Sequence, residues 1–138
     1  MSTAANKQLV RRYFDEFHGQ RALALADEIL GPDLRAPTLD VARMLITAFP
    51  DYTITIVDQV AEGDVVATVW HARGTHQGEW LSPLGAIPTS GKSVTWTGTT
   101  TLRISDGKIA AVIGSNWDHL GILQQMDALP ATAPRAGA

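Results

Sequence analysis

The sequence predicts an α+β fold, and three observations predict it. Apolar residues recur at helical spacing through the first third of the chain. β-Branched residues alternate with polar ones through most of the rest, and a short amphipathic segment follows the last of these runs. Helices first and strands after is the order of an α+β protein rather than of an alternating α/β one.

In "NKQLVRRYFDEF", Leu9, Val10, Tyr13, Phe14 and Phe17 share one helical face, and Gly19 ends the helix. "QRALALADEIL" repeats the pattern with Leu23, Ala26, Ile29 and Leu30, and Gly31-Pro32 stops it. "TLDVARMLITAF" gives a third helix carrying Val41, Leu45, Ala48 and Phe49, with Thr38 or Asp40 as its cap. Pro50-Asp51 closes that helix.

The strand signal begins at "YTITIVDQV". Glu62-Gly63-Asp64 is a tight turn, and "VVATVWHARGTH" is a long second strand. Residues 77–91 read as a loop rich in Gly, Pro and Ser. "KSVTWTGTTTLRI" is the third strand, with threonines on a half-exposed face. Ser105-Asp106-Gly107-Lys108 is a hairpin turn, and "IAAVIGSNW" is the fourth strand. A short helix with Leu120, Ile122, Leu123 and Met126 follows. Residues 1–127 are expected to form one domain, and the Ala/Pro-rich segment 128–138 a flexible tail. Three helices on one face of a curved four-stranded or larger sheet make a cone with an open end, a natural small-molecule pocket.

The chain has 138 residues, 45% hydrophobic and 18% charged, enough for one core. Net charge is −3 without a basic run, so a nucleic-acid partner is not expected. There are no cysteines, which excludes disulfides, thiolate metal sites and thiol nucleophiles. No apolar run reaches the ~20 residues of a membrane span, and the first residues lack a signal-peptide core. The expectation is a cytoplasmic protein with no membrane partner.

Several segments in order are similar to one family: "AFPDYTITIVDQVAEGDVVATVWHARGTHQGEW", "PTSGKSVTWTG", "LRISDGKIA" and "WDHLGILQQM". Together they resemble the SnoaL-like polyketide cyclases, or ester cyclases, of the nuclear-transport-factor-2-like superfamily. The resemblance covers roughly residues 7–127. It implies a cone-shaped fold and an intramolecular aldol condensation that closes a ring on an aromatic polyketide methyl ester, as in antibiotic biosynthesis. It implies no metal or organic cofactor, because the conjugated substrate delocalises its own enolate. It also implies an aspartate near the end of the last long strand as the acid–base group, and Asp118 matches that position. Three departures lie near the expected pocket mouth. "DLRAPTLDVARM" is short and lacks a His, "GEWLSPLGAIPTSG" is longer than usual, and Thr100 stands where the family commonly has Asp.

The candidate residues keep two readings each. Asp118 is either the proton carrier or the N-cap of the last helix. His76 either holds a proton or polarises a carbonyl at the pocket, or is a strand-end histidine bonded to backbone. His71 is five residues away and on the opposite strand face. His119 is expected at the surface. Asn116 shares strand parity with Asp118, Gly114 and Val112, and is either an enolate-oxygen donor or a turn residue. Trp70, Trp96 and Trp117 either stack on a planar substrate or pack the core. Trp80 lies in the loop, as a lid or an interface anchor. Tyr13 and Thr100 complete the expected substrate-binding set.

Two rivals remain. An epoxide-opening enzyme on this fold would use a carboxylate–Arg–carboxylate relay drawn from Asp58, Arg73 or Arg103, and Asp118, although the close Arg-x-Asp spacing is absent. A non-catalytic protein would simply hold a small hydrophobic or aromatic ligand. The threonine-rich outer sheet face points to a homodimer or homotetramer.

Overall fold

Ser2 begins the first helix by accepting the Ala5 N–H on its hydroxyl at 3.1 Å. In the computed structural model, which describes residues 2–129, helix α1 spans Thr3–Arg12. It continues as a π-helical turn over Tyr13–His18, where Gly19 N–H bonds the Phe14 carbonyl five residues back. Leu9, Val10, Phe14 and Phe17 are buried from this segment, as expected.

The second helical segment is a single 3₁₀ turn, Leu23–Leu25, followed by α2, Ala26–Ile29. Gly31-Pro32 does stop it, but the same pair starts α3, Pro32–Ala48. Gly31 takes the N-cap position in place of Thr38 or Asp40, because Pro at the first helical position has its φ preset and no N–H to lose. Pro37 sits inside this helix without an N–H for the Asp33 carbonyl.

Strands β1 (Thr53–Glu62), β2 (Val65–Thr75), β5 (Ser93–Ser105) and β6 (Lys108–Trp117) form an antiparallel sheet in the order β1-β2-β5-β6. The expected loop carries its own two-stranded hairpin, β3 (Trp80–Ser82) and β4 (Gly85–Ile87). Helix α4 spans His119–Gln125. The helices cover one face of the sheet, with Val66, Trp70, Ala72, Val94, Trp96, Leu102 and Ile104 buried beneath them. Val60, Val69 and Ile113 remain exposed on the strands. This is the expected α+β cone.

Alternation fails where a bulge intervenes. In β6 the pairing runs Leu102↔Val112 and then Thr101↔Gly114, so Ile113 is the extra residue. Parity inverts there. Val112 faces inward before the bulge, and Ser115 and Trp117 face inward after it. Asn116, expected on the pocket face with Val112, is therefore turned outward and exposed.

No helix among the described residues is long and apolar enough to cross a membrane. The tail expected from residue 128 lies outside the described residues from 130 onward. Ala128 and Leu129 themselves pack against the core.

Candidate functional site

The open end of the cone is a cavity of about 380 Å³ between the π-helical turn, α3 and the inner sheet face. That is the size of a small-molecule site. Leu34, Val41, Met44 and Leu45 of α3 form one wall, and Trp70, Trp96 and Trp117 of the sheet form the other. Among the described residues, no Asp, Glu, Lys or Arg lines it. The ionisable side chains on its surface are Tyr13, His18, Tyr52 and His119.

The sheet wall is an indole surface built at close quarters. Trp117 stacks on Trp96 at 6.1 Å and meets Trp70 edge-on at 5.7 Å. Trp70 Nε1 donates to Thr100 Oγ1 at 3.0 Å, and Thr100 lies 3.4 Å from the Ser115 hydroxyl. With Thr100 Oγ1 accepting from the indole and one hydroxyl donating to the other, the pair keeps one proton to offer. Gly98 makes room for the wall, since a Cβ there would run into the Trp70 ring. Gly98→Ala is expected to cost about 1–3 kcal/mol and displace Trp70. Urea titration followed by tryptophan fluorescence checks both effects.

At the mouth, His119 lies between two indoles. It is stacked on Trp117 at 5.5 Å and on Trp80 at 6.2 Å, both within about 12° of parallel. Trp80 is brought there by the β3–β4 hairpin, which also supplies Leu81 to the rim. The expectation that His119 faces solvent is thereby corrected. The chain turns at Asp118 so that residue 119 follows the inward side of Trp117, and the hairpin closes over it.

At the helical end, His18 and Tyr52 are buried against one another. Tyr52 Oη donates to the His18 carbonyl at 3.2 Å, and His18 Nδ1 lies 3.1 Å from the same oxygen. Arg21 fixes this pair, donating to the His18 carbonyl at 2.9 Å and the Tyr52 carbonyl at 2.8 Å. Its guanidinium lies 3.9 Å above the Tyr52 ring centre. Burial first, and Arg21 second, push the His18 imidazole down to about 4, so it is neutral at ordinary pH. Burial raises both neighbouring phenols, that of Tyr52 to about 12.

A family model of SnoaL-like polyketide cyclases matches residues 8–126. The chain belongs to the SnoaL-like polyketide cyclase family. No curated protein matches it. Among solved structures, it is 21% identical to a candidate SnoaL-like polyketide cyclase of Jannaschia sp. CCS1. That likeness covers 93% of this chain and 95% of that one, with a TM-score of 0.82. It is 23% identical to AclR of Streptomyces galilaeus, a candidate hydroxylase, over 96% of this chain and 91% of that one, with a TM-score of 0.80. It is 25% identical to IdmH of Streptomyces antibioticus, a candidate polyketide cyclase, over 88% and 98%, with a TM-score of 0.71. The first two likenesses establish the shared fold.

In this SnoaL-like chain the expected binding residues Tyr13, Trp70, Trp96, Thr100 and Trp117 all line the cavity. The three expected catalytic residues do not. Asp118 Oδ1 accepts the Gly121 N–H at 2.9 Å and caps α4. Gly121 suits that cap, since a Cβ there would collide with the Asp118 carboxylate. Asn116 is exposed by the bulge.

His76 follows the end of β2, so strand parity with Trp70 no longer governs it. It is fully buried under the loop. It accepts the Ser90 N–H on Nδ1 at 3.2 Å, and its own N–H bonds the Lys92 carbonyl at 2.9 Å. Its carbonyl takes the Thr89 hydroxyl at 3.0 Å and the Gly91 N–H at 2.8 Å. It therefore fastens the return of the segment that carries Trp80.

Asp58, Arg73 and Arg103 are exposed and do not line the cavity, and Arg103 pairs with Asp64 at 3.0 Å. The carboxylate–Arg–carboxylate relay is not assembled. Among the described residues, no three His, Asp or Glu side chains group as metal ligands.

Proposed function

We propose that the chain closes a ring by intramolecular aldol addition on an aromatic, polyketide-derived ester, and that His119 moves the proton. One observation carries this reading. The cavity of a SnoaL-like chain is walled by indoles, and His119 is the imidazole at its mouth. Stacked indoles suit a planar conjugated ligand. In the proposed step His119 takes a proton from the activated carbon of the substrate. The electron pair delocalises into the adjacent carbonyls and then forms the new carbon–carbon bond at the ketone carbon. The ketone oxygen becomes an alkoxide and recovers the proton from His119. The Thr100–Ser115 hydroxyl pair supplies a donor for the oxygen that gains charge. The conjugated substrate stabilises its own carbanion, so the reading includes no cofactor.

Aldol addition gives an isomer of the substrate, and dehydration of that adduct gives the isomer less one water. Incubation with an open-chain anthraquinone-type methyl ester, followed by chromatography and mass spectrometry, should show loss of substrate to a ring-closed product of identical mass, or of that mass less one water. Tight binding without conversion over hours would support a carrier instead.

The same reading places a second copy of the chain against the outer sheet face, where Val60, Val69 and Ile113 are exposed. Light scattering is expected to give about twice the chain mass of 14.8 kDa at micromolar concentration. A monomer would refute that part alone.

A further inference from the structure

We infer that His18 is a specificity-determining residue that accepts a hydrogen bond from a hydroxyl of the bound ligand at Nε2. The inference rests on the cavity being the substrate site, and it names what that substrate presents at the helical end: a phenol or an enol.

In the proposed arrangement the single hydroxyl proton of Tyr52 lies on the bond to the His18 carbonyl, 3.2 Å away, rather than on the 3.1 Å contact with Nδ1. The contact between His18 Nδ1 and Tyr52 Oη, 3.1 Å, then requires the proton on Nδ1. A neutral imidazole protonated at Nδ1 carries its lone pair on Nε2. His18 lines the cavity, and Nε2 has no hydrogen-bond partner among the described residues. It is also not among the sealed, unpartnered polar atoms of the core, so it borders the open space.

The ring cannot turn to find another partner. Tyr13 holds one side edge-on at 4.8 Å and Phe17 another at 5.0 Å, while Arg21 fixes the backbone carbonyl beneath it. Once a ligand fills the mostly apolar cavity and displaces water, a fixed acceptor there is satisfied only by a donor on the ligand. Burial keeps the imidazole neutral, so it remains an acceptor at ordinary pH. The phenol of Tyr52, raised by burial, likewise keeps its proton.

The test uses quenching of tryptophan fluorescence by 2-hydroxyanthraquinone, 2-methoxyanthraquinone and anthraquinone at pH 6. The wild-type chain is expected to bind the hydroxyl compound about tenfold more tightly than the other two, the scale of one good hydrogen bond. His18→Phe, which keeps a flat ring without the acceptor, is expected to bind all three alike. Should that variant not fold, nitrogen NMR of the wild-type protein decides on its own. The Nδ1 of His18 is expected to carry the proton and Nε2 the lone pair, and Tyr52→Phe is expected to lose this preference.

Equal binding of the three compounds by the wild type overturns the inference, as does discrimination that survives His18→Phe, or a proton on Nε2. If the quinones bind without discrimination, the cavity stands as the ligand site and only the role of His18 falls. If none of them binds, both fall.

Discussion

His119→Gln slows ring closure by about 100-fold or more, whereas Asp118→Asn leaves it within about threefold of the wild-type rate, as expected for losing and keeping a general base. The contrast follows from adjacent residues on opposite sides of one turn. His119 lines the cavity between Trp80 and Trp117. Asp118 spends its carboxylate on the Gly121 N–H. Gln keeps the size and polarity of His119 but cannot shuttle a proton near neutral pH. Asn caps a helix about as well as Asp, so Asp118→Asn should preserve the turn that presents His119. Asp118→Ala, by contrast, is expected to lower stability by about 1 kcal/mol through the lost cap. Initial rates with the open-chain ester, alongside circular dichroism of each variant, provide the measurement. Lost turnover in Asp118→Asn with retained turnover in His119→Gln would return the proton to Asp118, as the family resemblance implies, and sink the histidine assignment.

The parts of the molecule governed by local periodicity were legible in the sequence. Strand boundaries, the helix face of Leu9, Val10 and Phe14, and the inward set Trp70, Trp96 and Thr100 follow from counting by two or by 3.6. The site residues that escaped are those where the count breaks. His18 is five residues beyond Tyr13 and would lie roughly 140° away on an α-helix. The π-helical turn brings both to the same cavity. The signal was present as four rings, Tyr13, Phe14, Phe17 and His18, in the six residues of "YFDEFH". Nothing in the run itself marks the widened turn. Asn116 and Trp117 exchange faces because Ile113 bulges out of β6, and a bulge leaves no fixed sequence mark.

His119 escaped for a different reason. A residue in the first turn of a surface helix is exposed unless something distant covers it. The cover is Trp80, about forty positions earlier, on a hairpin hidden in a stretch that Gly, Pro and Ser make look irregular. His76 shows the same long-range logic. Its burial is legible only once the segment Thr89–Lys92 is seen to fold back over it.

Lowering the pH from 7 to about 4 removes about 3 kcal/mol of folding stability through His18 alone. Burial and the nearby Arg21 depress its folded value to about 4 against an ordinary 6.5. The sign follows from where the proton binds. Between those two values the unfolded chain takes up a proton that the folded chain refuses, so stability rises with pH across that window. The stabilising contribution is complete above about 6.5 and is lost as the pH falls to about 4, each pH unit being about 1.4 kcal/mol. Tyr13 and Tyr52, the other ionisable groups packed on His18, are raised by burial and do not titrate in this range. His76 is also lowered by burial and adds to the slope in the same direction. Carboxylates titrate near the lower end too, so the effect is isolated as a difference between wild type and His18→Phe. Urea unfolding of both at several pH values between 4 and 7 should show the wild type losing about 3 kcal/mol relative to the variant as pH falls, with the variant the flatter of the two. Parallel curves would show that His18 accepts a proton without unfolding, and would remove the neutral imidazole from the helical end of the cavity.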